Sequence, residues 1–108
     1  MVNNEHDDTM LLLASRPNAK MKVWGHVKSN MSAWNDFVAE QTIMAEELGI
    51  TRQYVGKALK FLESKNLIVR NGKKQANVIF MVNPEYCWNG AKSDIDNAKG
   101  KYKSIKEA

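Results

Sequence analysis

Gln41 to Leu62, QTIMAEELGITRQYVGKALKFL, reads as two helices joined by a tight turn. Ala45, Gly49 and Val55 stand at positions 5, 9 and 15 of a window opening at Gln41, and each has a physical reason. A small Ala45 lets the second helix cross close to the first. Gly49 follows Leu48 where the chain must take a left-handed backbone, which glycine reaches without strain. Val55 is a stiff apolar plug between the helices. Ile43, Met44 and Leu48 are expected to bury the first helix. Val55, Ala58, Leu59 and Leu62 follow the i, i+3, i+4, i+7 rule and bury the second.

The residues left over on the second helix are polar and basic. Thr51 is a good N-cap for a helix starting at Arg52. Thr51, Arg52, Gln53, Gly56, Lys57 and Lys60 lie away from the apolar stripe. A helix N-terminus attracts phosphate. In helix-turn-helix proteins the early residues of the second helix reach base edges in the major groove. Arginine pairs with guanine and glutamine with adenine, so Arg52 and Gln53 have the chemistry for that task.

Beyond this helix, Asn66 suits a left-handed C-cap. Leu67 to Arg70 reads as a strand, and Asn71-Gly72 is the favoured dipeptide of a tight hairpin turn. Val78 to Val82 reads as the returning strand, ended by Asn83-Pro84. A helix-turn-helix followed by a basic-tipped hairpin is the pattern of a winged helix. Arg70, Asn71, Lys73, Lys74 and Gln75 would form the wing and touch phosphates or the minor groove. A plain sheet edge blunted by lysines is the alternative.

Upstream, residues 1–8 are polar and acidic and are expected to be disordered. Thr9 to Ser15 holds Met10 to Leu13, a short apolar element suited to core packing or to dimerisation. Residues 18–31 read as a helix burying Met21, Val23, Trp24, Val27 and Met31, with Lys20, Lys22, His26 and Lys28 facing out. Trp34 lies in a connection as a cover over the core, and Phe37 to Ala39 reads as a short strand. Tyr86, Cys87 and Trp88 are expected to pack against the wing sheet. Residues 91–108 carry five lysines and few apolar anchors; within this basic C-terminal tail, residues 91–100 are expected to be weakly helical and the last residues flexible.

The chain has 108 residues, enough for one small domain with a thin core. We place that domain at residues 9–90. Its class is α+β, mostly α: a winged helix-turn-helix with a three-helix core and a hairpin wing. The net charge of +4 is unevenly spread. From Arg52 to Lys74 there are seven basic residues and a single acid, Glu63, the footprint of a phosphate-binding surface. One cysteine, Cys87, excludes an intramolecular disulfide and fits a reducing cytoplasm. With only His6 and His26 beside it, no typical zinc site can be built. Met10–Ala14 is too short to cross a membrane. No cofactor, metal or small-molecule ligand is expected. No nucleophile elbow, phosphate loop or isolated carboxylate pair argues for an enzyme.

The run IMAEELGITRQYVGKALKFLESKNLI, a hairpin, and then FMVNPEYCWNG resembles the winged-helix region of the plasmid RepL replication-protein family. The shared feature is a strand ending in an apolar-Asn-Pro step, followed by aromatics and a glycine. Here these are Met81, Val82, Asn83, Pro84, Tyr86, Trp88 and Gly90. The resemblance covers roughly residues 10–90 and extends to the helix within Asn18 to Val38.

Three functions follow as expectations. The first is a sequence-specific double-stranded DNA-binding protein of a plasmid or phage. It would act as a repressor or copy-control factor, reading an inverted repeat as a homodimer. The second, implied by the resemblance, is a replication-origin binder using the same face. The third is a winged helix that binds protein instead of DNA.

Overall fold

A computed structural model describes residues 19–108. The expected acidic terminus and the apolar element at 9–15 lie outside them. The described chain is α+β and mostly helical. Helix α1 spans Ala19–Asn30, strand β1 Asp36–Ala39, helix α2 Gln41–Leu48 and helix α3 Arg52–Ser64. Strands β2 (Ile68–Lys74) and β3 (Asn77–Val82) follow, then helix α4 (Ile95–Glu107). The sheet is antiparallel with order β1-β3-β2.

The two central helices end by the same device. Gly49 is left-handed at φ 66°, and the Ile50 N–H returns to the Ala45 carbonyl at 3.1 Å. A Cβ on Gly49 would meet nothing within 4 Å, so backbone conformation alone asks for glycine. At the end of α3, Asn66 is left-handed at φ 61°, and the Leu67 N–H returns to the Leu62 carbonyl at 3.0 Å. Between them, the Thr51 hydroxyl caps α3 by accepting from the Tyr54 N–H at 3.2 Å.

The main core lies between α1, α2, α3 and one face of the sheet. Val23, Val27, Met44, Val55, Leu59, Leu62, Ile68, Phe80 and Val82 are buried there. Two expectations fail at its edge. Met21 and Ile43 are 45% and 46% exposed. Met21 sits about 110° around α1 from the centre of the Val23–Trp24–Val27 stripe, at 100° per residue. Ile43 is similarly rotated from the Met44–Leu48 face of α2. His26, expected outside, has a side chain only 13% exposed. It packs edge-on to Phe37 and lies 3.7 Å from Glu47, because α2 and β1 close over that flank of α1.

The hairpin turns later than Asn71-Gly72 suggested. Strand β2 runs on to Lys74, and left-handed Gln75 (φ 57°) and Ala76 make the turn. Arg70 pairs with Phe80 but Lys73 with Val78, so Asn71 and Gly72 together oppose Ile79 in a bulge. Gly72 supplies the positive φ of 99°. A turn at Asn71-Gly72 would set Ile68 and Val69 against Lys74 and Gln75. The observed register instead pairs them with Val82 and Met81, and apolar pairing outweighs the local turn signal.

The expected basic tail, flexible at its end, is corrected to a docked helix. Ala98, Tyr102 and Ile105 recur at i, i+4 and i+7 on α4 and pack on Met81, Val69, Trp34 and Trp88. This buries the second face of the sheet. Phe80 and Val82 point to the main core, while Met81 between them points to α4. Lysine-rich spacing concealed the stripe, since its one large member is a tyrosine.

Two buried asparagines join these layers. Trp34 and Asn35 are both left-handed, at φ 61° and 64°. Asparagine tolerates this conformation but tryptophan seldom does. The turn is held by the fully buried Asn35 amide, which donates to the Val82 and Cys87 carbonyls at 3.0 and 2.7 Å. Its oxygen accepts from the Asn89 N–H at 2.7 Å. Asn83 donates to the Asn66 carbonyl at 2.9 Å and accepts from the Glu85 N–H at 3.0 Å. The Tyr102 hydroxyl completes the link by donating to the Asn66 side-chain oxygen at 3.0 Å. Gly90 is needed nearby because a Cβ there would fall 2.5 Å from the Trp88 ring.

Asn35→Asp keeps the shape but removes both donors from a buried site. It should cost about 3 kcal/mol in urea unfolding, and a change below about 1 kcal/mol would deny the amide its role. Burial, followed by the neighbouring Tyr86 and Glu63, raises the Tyr102 phenol above its ordinary range. The unfolded phenol ionises near pH 10, so its contribution is complete below about pH 10 and falls as pH rises further. Stability should therefore decline more steeply above about pH 10 in the wild type than in Tyr102→Phe.

Candidate nucleic-acid interface

The geometry of α3 follows from its stripe. Val55, Ala58, Leu59 and Leu62 face the core, so Gln53, Lys57 and Lys60 must face outward, and all three are exposed. Arg52 is exposed at the helix start, and the Thr51 hydroxyl serves as its cap. Gly56 lies on the flank toward α2, where a Cβ would stand 3.5 Å from the Gln41 side-chain oxygen. That is ordinary contact, so sterics alone do not demand glycine.

A groove runs between α3 and the hairpin. Gln53, Gly56, Lys57 and Lys60 line its helix side, and Arg70, Val78 and Phe80 line its sheet side. A second groove adjoins it, sharing Gln41 and Val78. It is lined by Arg52, by the exposed Glu40 with Thr42 and Ile43 at the start of α2, and by Ala76 and Asn77 at the hairpin turn. The two form one surface from α2 across α3 to the hairpin.

Lys73, Lys74 and Gln75 are exposed on the hairpin, as expected of its tip. Arg70 and Asn71 have other partners. Arg70 Nε lies 3.1 Å from Glu63, the acid of this stretch, and its guanidinium lies over the Phe80 ring at 6.0 Å. The Asn71 amide donates to the Asp36 carboxylate at 3.1 Å across the middle strand. The bulge turns Asn71 inward to meet it. The remaining cations of this face are Arg52, Lys57, Lys60, Lys73 and Lys74, all exposed.

Sequence reasoning missed Gln41, Thr42 and Asn77, which enter the grooves only through tertiary packing. It also passed over Tyr54, which is 55% exposed with the Lys57 ammonium 5.7 Å from its ring centre. The available signal was a large aromatic outside the i, i+3, i+4 stripe of α3. Among the described residues no histidine, cysteine and carboxylate group could hold a metal ion. None of their helices is long and apolar enough to cross a membrane.

This arrangement defines a class: a small, mostly helical α+β scaffold in which α3 and the following hairpin share a cationic surface. The chain belongs to the Firmicute plasmid replication protein (RepL) family, whose model matches residues 7–108. It is therefore a plasmid replication-related protein. No curated protein and no solved structure matches it significantly. The family match includes α4, beyond the roughly 10–90 stretch of the initial resemblance.

Glu63→Gln should free Arg70, which already lines the groove, from its ion pair at a cost of about 1 kcal/mol, because the Arg70 side chain is 57% exposed and the pair is screened by solvent. Retention on heparin should shift to higher salt. Unchanged elution would mean that Arg70 does not reach the basic face.

Proposed function

We propose that this protein binds double-stranded DNA in plasmid replication as a winged helix-turn-helix. In this reading α3 enters the major groove and the β2–β3 hairpin is the wing. The observation that carries it is five exposed cations on α3 and the hairpin, with the neighbouring acid Glu63 already taken by Arg70. Arg52 and Gln53 read bases from the first turn of α3. Lys57, Lys60, Lys73 and Lys74 hold phosphates and give register without reading sequence. Arg70 and Asn71 also hold the hairpin in shape through Glu63 and Asp36, and Arg70 stays exposed beside the groove for a phosphate contact.

Family membership favours the replication origin over a promoter as the target. Promoter occlusion would use the same face, so a repressor acting in copy control remains the second reading. A homodimer would set two α3 helices about one helical turn apart on an inverted repeat.

Selection of bound duplexes from a random pool, followed by mapping on the plasmid, tests all of this. The expected result is an enriched inverted repeat within the origin. Arg52→Ala should cost about 1–3 kcal/mol on that site and relax one base position. Lys73→Ala should weaken all sequences alike and reduce the salt slope by about one. No enrichment, with an unchanged slope, would leave the basic face without a base-reading role.

A further inference from the structure

The reading above leaves Tyr54 unexplained. It is the third residue of α3 and exposes 55% of its surface, on a helix whose other large apolar residues are buried or half-buried. Its hydroxyl is not required by the cap, since Thr51 accepts from the Tyr54 backbone N–H. The ring does not line the groove toward the hairpin, although Gln53 before it in sequence and Lys57 one turn on both do. At 100° per residue it lies on the opposite flank of the outward stripe. The Lys57 ammonium lies 5.7 Å from the ring centre, a cation–π distance that sets an apolar surface beside a charged one.

We infer that Tyr54 is a specificity residue whose ring packs on the C5-methyl of a thymine at the edge of the half-site away from the hairpin. The inference rests on the DNA-binding reading and deepens it. A helix lying in the major groove presents its first turn to base edges. There the thymine methyl is the one apolar group that the bases offer. Arg52 and Gln53 supply hydrogen bonds to purines, while Tyr54 on the next position around the helix supplies apolar contact. The nearby Lys57 is placed for the phosphate flanking that base.

The test compares wild type, Tyr54→Ala and Tyr54→Phe in the random-duplex selection. It then repeats binding on the enriched site with thymine replaced by deoxyuridine, which lacks only the methyl group. Wild type and Tyr54→Phe should both show a thymine column and lose about fourfold in affinity on deoxyuridine, the worth of one methyl group. Tyr54→Ala should lose that column and bind both duplexes equally. Because Tyr54 is exposed, the variant should fold, which an unchanged Tm checks. If wild type enriches a site but Tyr54→Ala keeps the same thymine column, the inference falls and the DNA-binding reading stands. If wild type enriches nothing, both fall together.

Discussion

The side-chain amide of Asn35 is the interaction on which the rest of the structure depends. It stands where α1 ends and β1 begins, in a turn of two successive left-handed residues that is costly by itself. Three hydrogen bonds, to Val82, Cys87 and Asn89, satisfy both amide hydrogens and the oxygen inside the core. A buried amide so placed cannot slide without leaving donors unmade, and each unmade donor costs about 1–3 kcal/mol. The start of β1 is thereby pinned to the end of β3. Register follows, with Phe37 opposite Phe80 and the hydrophobic face of the sheet turned to α1, α2 and α3.

Asn83 plays the matching part just past this same end of β3. Its amide spans the end of α3 and the loop beyond the sheet, and through Asn66 it meets the hydroxyl of Tyr102. The Asn-Pro, aromatic and glycine pattern of residues 83–90 therefore has a structural meaning. Asn83 and Pro84 are buried, Trp88 packs edge-on to Trp34, and Gly90 leaves room for its ring. The pattern seats α4 on the back of the sheet. It does not form the basic face, which lies on the other side of the molecule's sheet with α3.

This division explains how a small domain can offer a charged surface. The helix stripe and the hairpin are held from behind by apolar packing and by satisfied amides, so their lysines need no partners of their own. The Arg70–Glu63 pair ties the hairpin to α3 and offsets one of the two acids that line this surface, the other being the exposed Glu40. The bulge at Asn71 and Gly72 lengthens the hairpin and carries Lys73 and Lys74 to its exposed end.

The two helices joined at Gly49 were legible because their signals are local. Gly49, Thr51 and Asn66 act on backbone within a few residues, and the α3 stripe repeats with the helix period. The position of β1 and the existence of a hairpin were legible for the same reason. The hairpin's turn was not, because Asn71-Gly72 satisfies a turn and a bulge equally well, and only pairing with β3 chooses between them. The docking of α4 was hidden because Ala98, Tyr102 and Ile105, set among lysines, become a stripe only against Met81, Trp34 and Trp88. The burial of His26, the exposure of Met21 and Ile43, and the partners of Arg70 and Asn71 also depend on residues distant in sequence. Local chemistry thus determined which helices form and which of their faces is basic. Tertiary structure decided which cation is drawn into an ion pair, since Arg70 meets Glu63 only where the hairpin packs beside α3.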